Sequence, residues 1–273
     1  MRGLLTSPLG FLIGLSLGAL GGGGSILAVP TLVYAAGQAP RHATTTSLVL
    51  VALTAVIGIL PHWRAGRVRL AAGAIFGLAG IGGSLLGSHW NKAADPNVLL
   101  LAFSGLMLIA AYGMWRRVPN APSPRDLRSV GAAATSTGSP LEASSVHIDT
   151  STVIKVMVAG TIVGLLTGFF GVGGGFVIVP ALVLALDFTM PEAIGTSLLV
   201  ITINSVVALS TRLQAGSIEW GTVIPFTIAS LIGVVVGGRL ASKHDSTSLQ
   251  RWFVGLLVVV GVYTAVHSGL ALR

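Results

Sequence analysis

The chain has 273 residues, 53% of them hydrophobic and 9% charged, with a formal net charge of +8 and no cysteine. Soluble domains carry about 25% charged residues, so an ordinary soluble fold is excluded and a chain embedded in a bilayer is expected. The missing cysteines exclude disulfides, thiolate metal sites and cysteine nucleophiles; the Arg and Lys residues lie beside apolar runs, where they set topology rather than bind nucleic acid.

The first apolar run, 9–36, follows Met1-Arg2. It continues through Gly21–Gly24 without a small-residue cleavage pattern and has a matching copy later in the chain, so it reads as a mature membrane segment rather than a signal peptide. Apolar segments follow at 43–61, 70–90 and 97–115. Residues 116–152 are rich in Ser, Thr, Pro, Gly and Ala; such a stretch buries too little apolar surface to fold alone and reads as a flexible linker. Four more segments come at 153–186, 193–211, 219–238 and 252–271. A helix crosses the hydrocarbon core with about 20 apolar residues, and these runs have that reach.

The two sets of four are copies at a constant offset of 150. Gly14-Leu15, Gly18, Gly21, Gly23-Gly24, Val29-Pro30 and Leu32-Val33 recur as Gly164-Leu165, Gly168, Gly171, Gly173-Gly174, Val179-Pro180 and Leu182-Val183. Ala65-Gly66 recurs as Ala215-Gly216, Gly83 as Gly233 and Gly87 as Gly237; within 14–48, 15 of 35 positions are identical to their partners. Self-similarity of this kind marks a repeat. The fold class is an all-α polytopic membrane protein: two homologous four-segment repeats, 1–115 and 153–273, each with a Gly-broken first helix.

Eight crossings place Arg64, Arg67 and Arg69, then Arg116, Arg117, Arg125 and Arg128, on one side with both termini, the cytoplasmic side by the positive-inside rule. Arg41, Lys92, Arg239, Lys243 and Arg251 then fall on the other, a weak asymmetry. Trp63, Trp90, Trp115, Trp220 and Trp252 lie at segment ends, as interfacial anchors do. Four crossings per half make the repeats parallel, unless the long glycine-bearing segments re-enter.

Gly21-Gly22-Gly23-Gly24-Ser25 and Gly171-Val172-Gly173-Gly174-Gly175 fall inside long segments. Each glycine costs a helix about 1 kcal/mol relative to Ala, so a run of them predicts local unwinding. Gly10, Gly14 and Gly18, and Gly164 and Gly168, have instead the small-xxx-small spacing of close helix contacts. Unwound backbone in a membrane must face protein or an aqueous cavity, and a half-helix starting after the break offers free N–H groups and its positive dipole end to an anion. Candidate binding residues are Gly23, Gly24, Ser25, Gly173, Gly174 and Gly175, with Thr46, Ser47, Thr196 and Ser197 as hydroxyl donors or helix caps and Asn204 as amide donor or interhelical link; Thr54 is its repeat partner. Asp95, Asp187, Glu192, Glu219 and Asp245 all lie at segment ends or in loops, which argues against a cation pump. His42, His62, His89, Glu192 and Arg212 read as solvated end residues that could also gate or handle protons. No metal-ligand cluster, nucleotide loop or catalytic triad stands out, so neither an enzyme nor a cofactor is expected.

The chain resembles the TauE/SafE sulfite exporter family at the pattern Gly168 to Pro180, duplicated upstream, and at Ala193 to Leu198. The first copy departs at Ser25, where the second has Gly175, and at Thr45, where the second has Gly195. The resemblance implies a multi-pass inner-membrane carrier of sulfite, sulfonates, thiosulfate or related organic anions. A secondary transporter is the first reading; an anion channel and a non-transporting membrane subunit are the alternatives. Expected partners are the anion, membrane lipid and a coupling ion, proton or sodium, with no nucleic acid; a homo-oligomer is left open.

Overall fold

The structure, a computed structural model, describes residues 2–34, 37, 40–91, 96–117, 150–170, 175–212 and 220–271. The greater part of the linker, 118–149, lies outside them, as do Gly171–Gly174, Asp95 and Glu219. The described residues form ten helices: α1 Arg2–Leu20, α2 Gly23–Tyr34, α3 Pro40–Arg64, α4 Leu70–Asn91, α5 Pro96–Arg117, α6 Thr150–Phe170, α7 Gly175–Ala185, α8 Met190–Arg212, α9 Trp220–Lys243 and α10 Ser246–Ala271. Six of them, α3, α4, α6, α8, α9 and α10, contain stretches long and apolar enough to cross a bilayer. Their outer surfaces remain apolar, with Leu78, Leu85, Ile162, Val259 and Tyr263 more than half exposed. Water would penalise such a surface and hydrocarbon would not.

Two backbone-on-backbone seams organise the bundle. A Cβ added at Gly14 would lie 2.0 Å from the Ser230 carbonyl oxygen, and one at Gly18 would lie 2.2 Å from that of Val234. Across the other seam, a Cβ at Gly164 would lie 2.1 Å from the Gly80 oxygen and one at Gly168 2.1 Å from the Ser84 oxygen. Gly10 meets Phe226 as Gly160 meets Phe76, and Gly83 and Gly87 meet Thr161 and Leu165 as Gly233 and Gly237 meet Phe11 and Leu15. Each of these glycine contacts of the α1–α9 seam thus recurs in the α6–α4 seam with 150 added to one residue and subtracted from the other. Small residues permit this approach, and dispersion and weak Cα–H···O contacts supply the attraction that lipid-immersed helices otherwise lack.

The register of these contacts gives the helix directions. Positions 10, 14 and 18 meet 226, 230 and 234, so α1 runs parallel to α9; by the same logic α6 runs parallel to α4. Gly58 packs on Leu198 and Gly195 on His62, so α3 is antiparallel to α8. The end of α3 is closed by Gly66 in the left-handed region at φ 66°: Arg67 N–H donates to His62 O and Gly66 N–H to Trp63 O, a Schellman cap. At that face Arg69, starting α4, pairs with Glu192, starting α8. The last turn of α1 lies at this same half of the bundle, because Gly21 touches Ile194 and Ser197. The start of α3 lies at the opposite face, so α2, which connects them, must run back against α1. Likewise α6 starts at the face of Arg69, whereas α7 ends there, its Val183 and Leu184 carbonyls accepting from Arg117.

Among the described residues, ten helices therefore stand where eight segments were expected, because each glycine-bearing segment holds two helices of opposite direction. The even count that implied parallel halves becomes five elements per half. The charges redistribute accordingly. Arg64, Arg67, Arg69, Arg116, Arg117, Lys155, Arg239, Lys243 and Arg251 lie at the ends of helices on one face, and Arg2, Arg41 and Arg212 at the other. Arg239, Lys243 and Arg251, which blurred the expected asymmetry, join the arginine-rich face. The start of α1 and the end of α10 lie opposite it. Gly14→Ala is expected to destabilise the protein by about 1–3 kcal/mol through overpacking, whereas Gly105→Ala, with nothing within 4 Å of the new methyl, should stabilise by up to about 1 kcal/mol; thermal unfolding in detergent measures both.

Candidate functional site

The chain turns back between α1 and α2 at Gly21 and Gly22. Gly21 adopts φ 76°, a conformation open to glycine at no steric cost, and its N–H still donates to Leu17 O at 2.8 Å. Close approach requires glycine here as well. A Cβ at Gly22 would lie 1.9 Å from Gly175 O, and one at Gly24 would lie 2.3 Å from Ile13 O. The first residues of α2 and α7 are thus in mutual contact inside the bundle, although α2 belongs to one half of the chain and α7 to the other.

Two hydroxyls support the turn. Ser25 Oγ donates to Gly22 O at 2.8 Å, and Ser197 Oγ donates to Gly21 O at 3.1 Å and to Ile194 O at 2.8 Å. Both serines are buried. The two carbonyls freed by the reversal are therefore satisfied within the protein, as hydrocarbon surroundings demand. The amides are differently placed. Helix geometry leaves the first N–H groups of α2 and α7 without intrahelical acceptors. Ser25 N–H reaches Gly22 O only at 3.3 Å. Two helix N-termini, each with the positive end of its dipole, converge in an apolar interior.

Each residue expected at the site takes a definite place. Gly23, Gly24, Ser25, Gly175 and Ser197 come together around the turn. Gly173 and Gly174 lie outside the described residues. Thr196 is buried but faces the other way: its Oγ1 accepts from Arg69 N–H at 3.1 Å, and its methyl lies near Gly73. Thr46 and Ser47 are buried in α3. They do not cap it, because α3 begins at Pro40; nor do Thr196 and Ser197 cap α8, which begins at Met190. The start of α8 is held instead by Glu192, whose Oε2 accepts from Thr189 N–H at 3.2 Å and Thr189 Oγ1 at 2.9 Å, half of a capping box. Asn204 lies farther along α8 against the α4–α6 seam, its Nδ2 near Gly80, and its buried Oδ1 has no hydrogen-bond partner. Helix α8 passes both helix starts, with Ser197 on Gly21 and Ile201 on Gly175.

Contacts between the halves also use residues that the sequence reading assigned elsewhere. Arg69, read as a topology signal, binds Glu192 Oε1 through Nη2 at 2.6 Å and Nε at 3.1 Å. Arg117 binds Asp187 and the last carbonyls of α7. Buried Gln250 donates to Met114 O at 2.7 Å, tying α10 to α5; an amide flanked by charged residues at a segment end carried no signal of burial. His62, expected to be solvated, is 3% exposed, because α8 closes on it at Gly195, where a side chain would meet the His62 Cβ at 3.1 Å. Replacing Ser197 with Ala should cost about 1 kcal/mol by leaving Gly21 O unbonded, read as a lower unfolding temperature in detergent; an unchanged temperature would show that this hydrogen bond does not hold the turn.

The comparisons with known proteins agree with this architecture. The family described as "Sulfite exporter TauE/SafE" matches residues 7–264. A "Probable membrane transporter protein" of Xylella fastidiosa (strain 9a5c) is 31% identical over 272 residues, covering 98% of this chain and 97% of its own. A protein of the same description from Xylella fastidiosa (strain Temecula1 / ATCC 700964) is 32% identical with the same coverage. "Probable membrane transporter protein YunE" of Bacillus subtilis (strain 168) is 24% identical, with 97% of both chains covered. No solved structure matches. With a multi-pass helical bundle and a family match across nearly its whole length, the chain belongs to the sulfite exporter TauE/SafE family of membrane transporters.

Proposed function

We propose that the protein is a secondary transporter that carries a small sulfur-containing anion, such as sulfite, a sulfonate or thiosulfate, across the cytoplasmic membrane. One observation carries the reading: α2 and α7 start at the same place in the interior and present their N-termini there. Amide hydrogens at a helix start bind oxyanions without a full positive charge, and a low-dielectric interior strengthens each such bond. The anion contacts are the amides of Gly23–Ser25 and Gly173–Gly175, with Ser47, Ser197 and Asn204 as side-chain partners and Thr46 and Thr196 shaping the adjoining helices. The sulfur chemistry is supported by the family description.

The seams support a mechanism. Contacts that recur at an offset of 150, between halves of five elements each, are those of an inverted-topology repeat, with residues 1–115 and 153–273 related by an axis in the membrane plane. Each seam joins α1 or α6 to a helix of the other half, so two rigid pairs, α1 with α9 and α6 with α4, rock about the central site to expose it alternately. The arginine-rich face lies in the cytoplasm by the positive-inside rule.

Two measurements test these statements. Purified protein in liposomes should show saturable uptake and counterflow of sulfite or thiosulfate. Gly23→Leu should reduce that flux more than tenfold, about 1.4 kcal/mol or more of lost anion stabilisation, because a side chain there crowds the first turn of α2, whose amides bind the anion. Its nearest neighbours are the flexible Leu256 side chain and Ser16, so the fold should persist. Undiminished flux would remove the site, and a conductance of many ions without saturation would identify a channel. For topology, the chain has no cysteine of its own, so a thiol introduced as Ser242→Cys should react with an impermeant maleimide only from the cytoplasmic side; an eight-crossing chain would place it outside.

A further inference from the structure

We propose that His62 is the proton-binding site that couples anion movement to the proton gradient. The inference rests on the transport reading above and adds its coupling ion.

Among the described residues, His62 is the one buried imidazole, a side chain able to take up and release a proton. Neither ring nitrogen has a hydrogen-bond partner, although the ring lies beside the Gly18 carbonyl. A buried polar group left unbonded costs free energy, and its presence calls for a reason. Geometry suggests one. The Schellman cap of α3 pins the His62 backbone. Gly18 flanks the ring one turn before the reversal at Gly21, and a Cβ at Gly195 on α8 would lie 3.1 Å from that of His62. The imidazole therefore sits between the half-helix of one repeat and the spine of the other, one turn from the anion site and one turn from the arginine-rich face, where Trp63 and Arg64 are exposed.

The charged groups around it are few. In the turn after α3, Arg67 is half-buried and acts on the ring. Arg64 lies two residues on along α3. Arg69 and Glu192, on α4 and α8, neutralise each other in their ion pair. On α9, which packs on Pro61 through Gly238, Arg239 is exposed. No described carboxylate faces the ring, so an anion at the helix starts is the negative charge available to stabilise a protonated His62. By linkage, the proton must then raise the affinity for the anion by the same factor. A proton passes from hydronium at the arginine-rich face to a ring-nitrogen lone pair, leaving water, and returns to water when the anion departs. An inside-negative potential expels anions unaided, so a dedicated proton site serves uptake.

The test uses full-length protein in liposomes with the membrane potential clamped at zero, a trapped pH dye, and radiolabelled sulfite or thiosulfate. Thiosulfate keeps its charge across the histidine range, about pH 5 to 8. An inward gradient of about one pH unit should drive up to about tenfold accumulation and acidify the lumen. His62→Gln should retain counterflow and lose gradient-driven accumulation. Accumulation persisting in that variant would overturn the assignment to His62. Anion flux through the wild type without lumenal acidification would overturn proton coupling, whether or not the variant folds. Absence of wild-type counterflow with both anions would overturn the transport reading itself, and the coupling with it.

Discussion

Hydrocarbon offers no hydrogen-bond partner to a peptide group, so a helix that ends inside a membrane must have its end satisfied by protein. Much of this structure follows from that constraint. The reversal at Gly21–Gly22 frees carbonyls, and Ser25 and Ser197 donate to them. Ser197 can do so because α8 runs antiparallel to α3 and passes the turn at the right height. That height is set at its start by Glu192, held to both Thr189 and Arg69. Carbonyls are thus answered by hydroxyls, while helix geometry leaves the first amides of α2 and α7 without intrahelical acceptors. A site of this polarity suits an anion and repels a cation.

The seams explain how so delicate a turn is held. Apolar side chains gain little by contacting one another rather than lipid, and a bundle relying on them would be loose. Backbone contact at Gly14, Gly18, Gly164 and Gly168 brings α1 and α6 against their partners at distances that any side chain would prevent. The broken elements are therefore anchored along their length before they reach the turn. The buried cluster of Phe103, Phe170 and Phe176, with edge-to-face rings 4.9 and 5.5 Å from Phe103, fixes α7 against α5 in the same way.

Several of these features were legible in the sequence. Glycines at 10, 14 and 18 announced a packing seam because their spacing repeats on one helix face, and apolar runs of about 20 residues announced spans. Direction was not legible. A run of glycines says that a helix is costly there, but whether the chain continues or turns back depends on what Gly22 and Gly24 touch, and those partners, Gly175 and Ile13, are set by the tertiary fold. Thr196 and Ser197 look alike in sequence and point to different neighbours, one to Arg69 and one to Gly21. His62 read as an end residue because its burial comes from the close approach of α8 at Gly195. The departure of Gly195 from Thr45 in the other copy, unexplained in the sequence, has a steric cause: a side chain there would meet His62 and the Arg67 carbonyl, 2.8 Å from its Cβ.

That last difference bears on how an inverted repeat could work. If the halves were identical, exchanging their conformations would produce two states, open to opposite faces, of equal free energy. A transporter needs the balance to depend on what is bound, and a ligand shifts an equilibrium only through unequal interactions with the two states. The positions where the copies differ can supply that inequality. Ser25 stands opposite Gly175, so one helix start carries a hydroxyl that donates to the Gly22 carbonyl and the other a bare backbone. His62 has Arg212 as its counterpart, so one copy carries an imidazole where the other carries a fixed positive charge. On the transport reading proposed above, these differences between the copies are where a dependence on a bound anion and proton would arise.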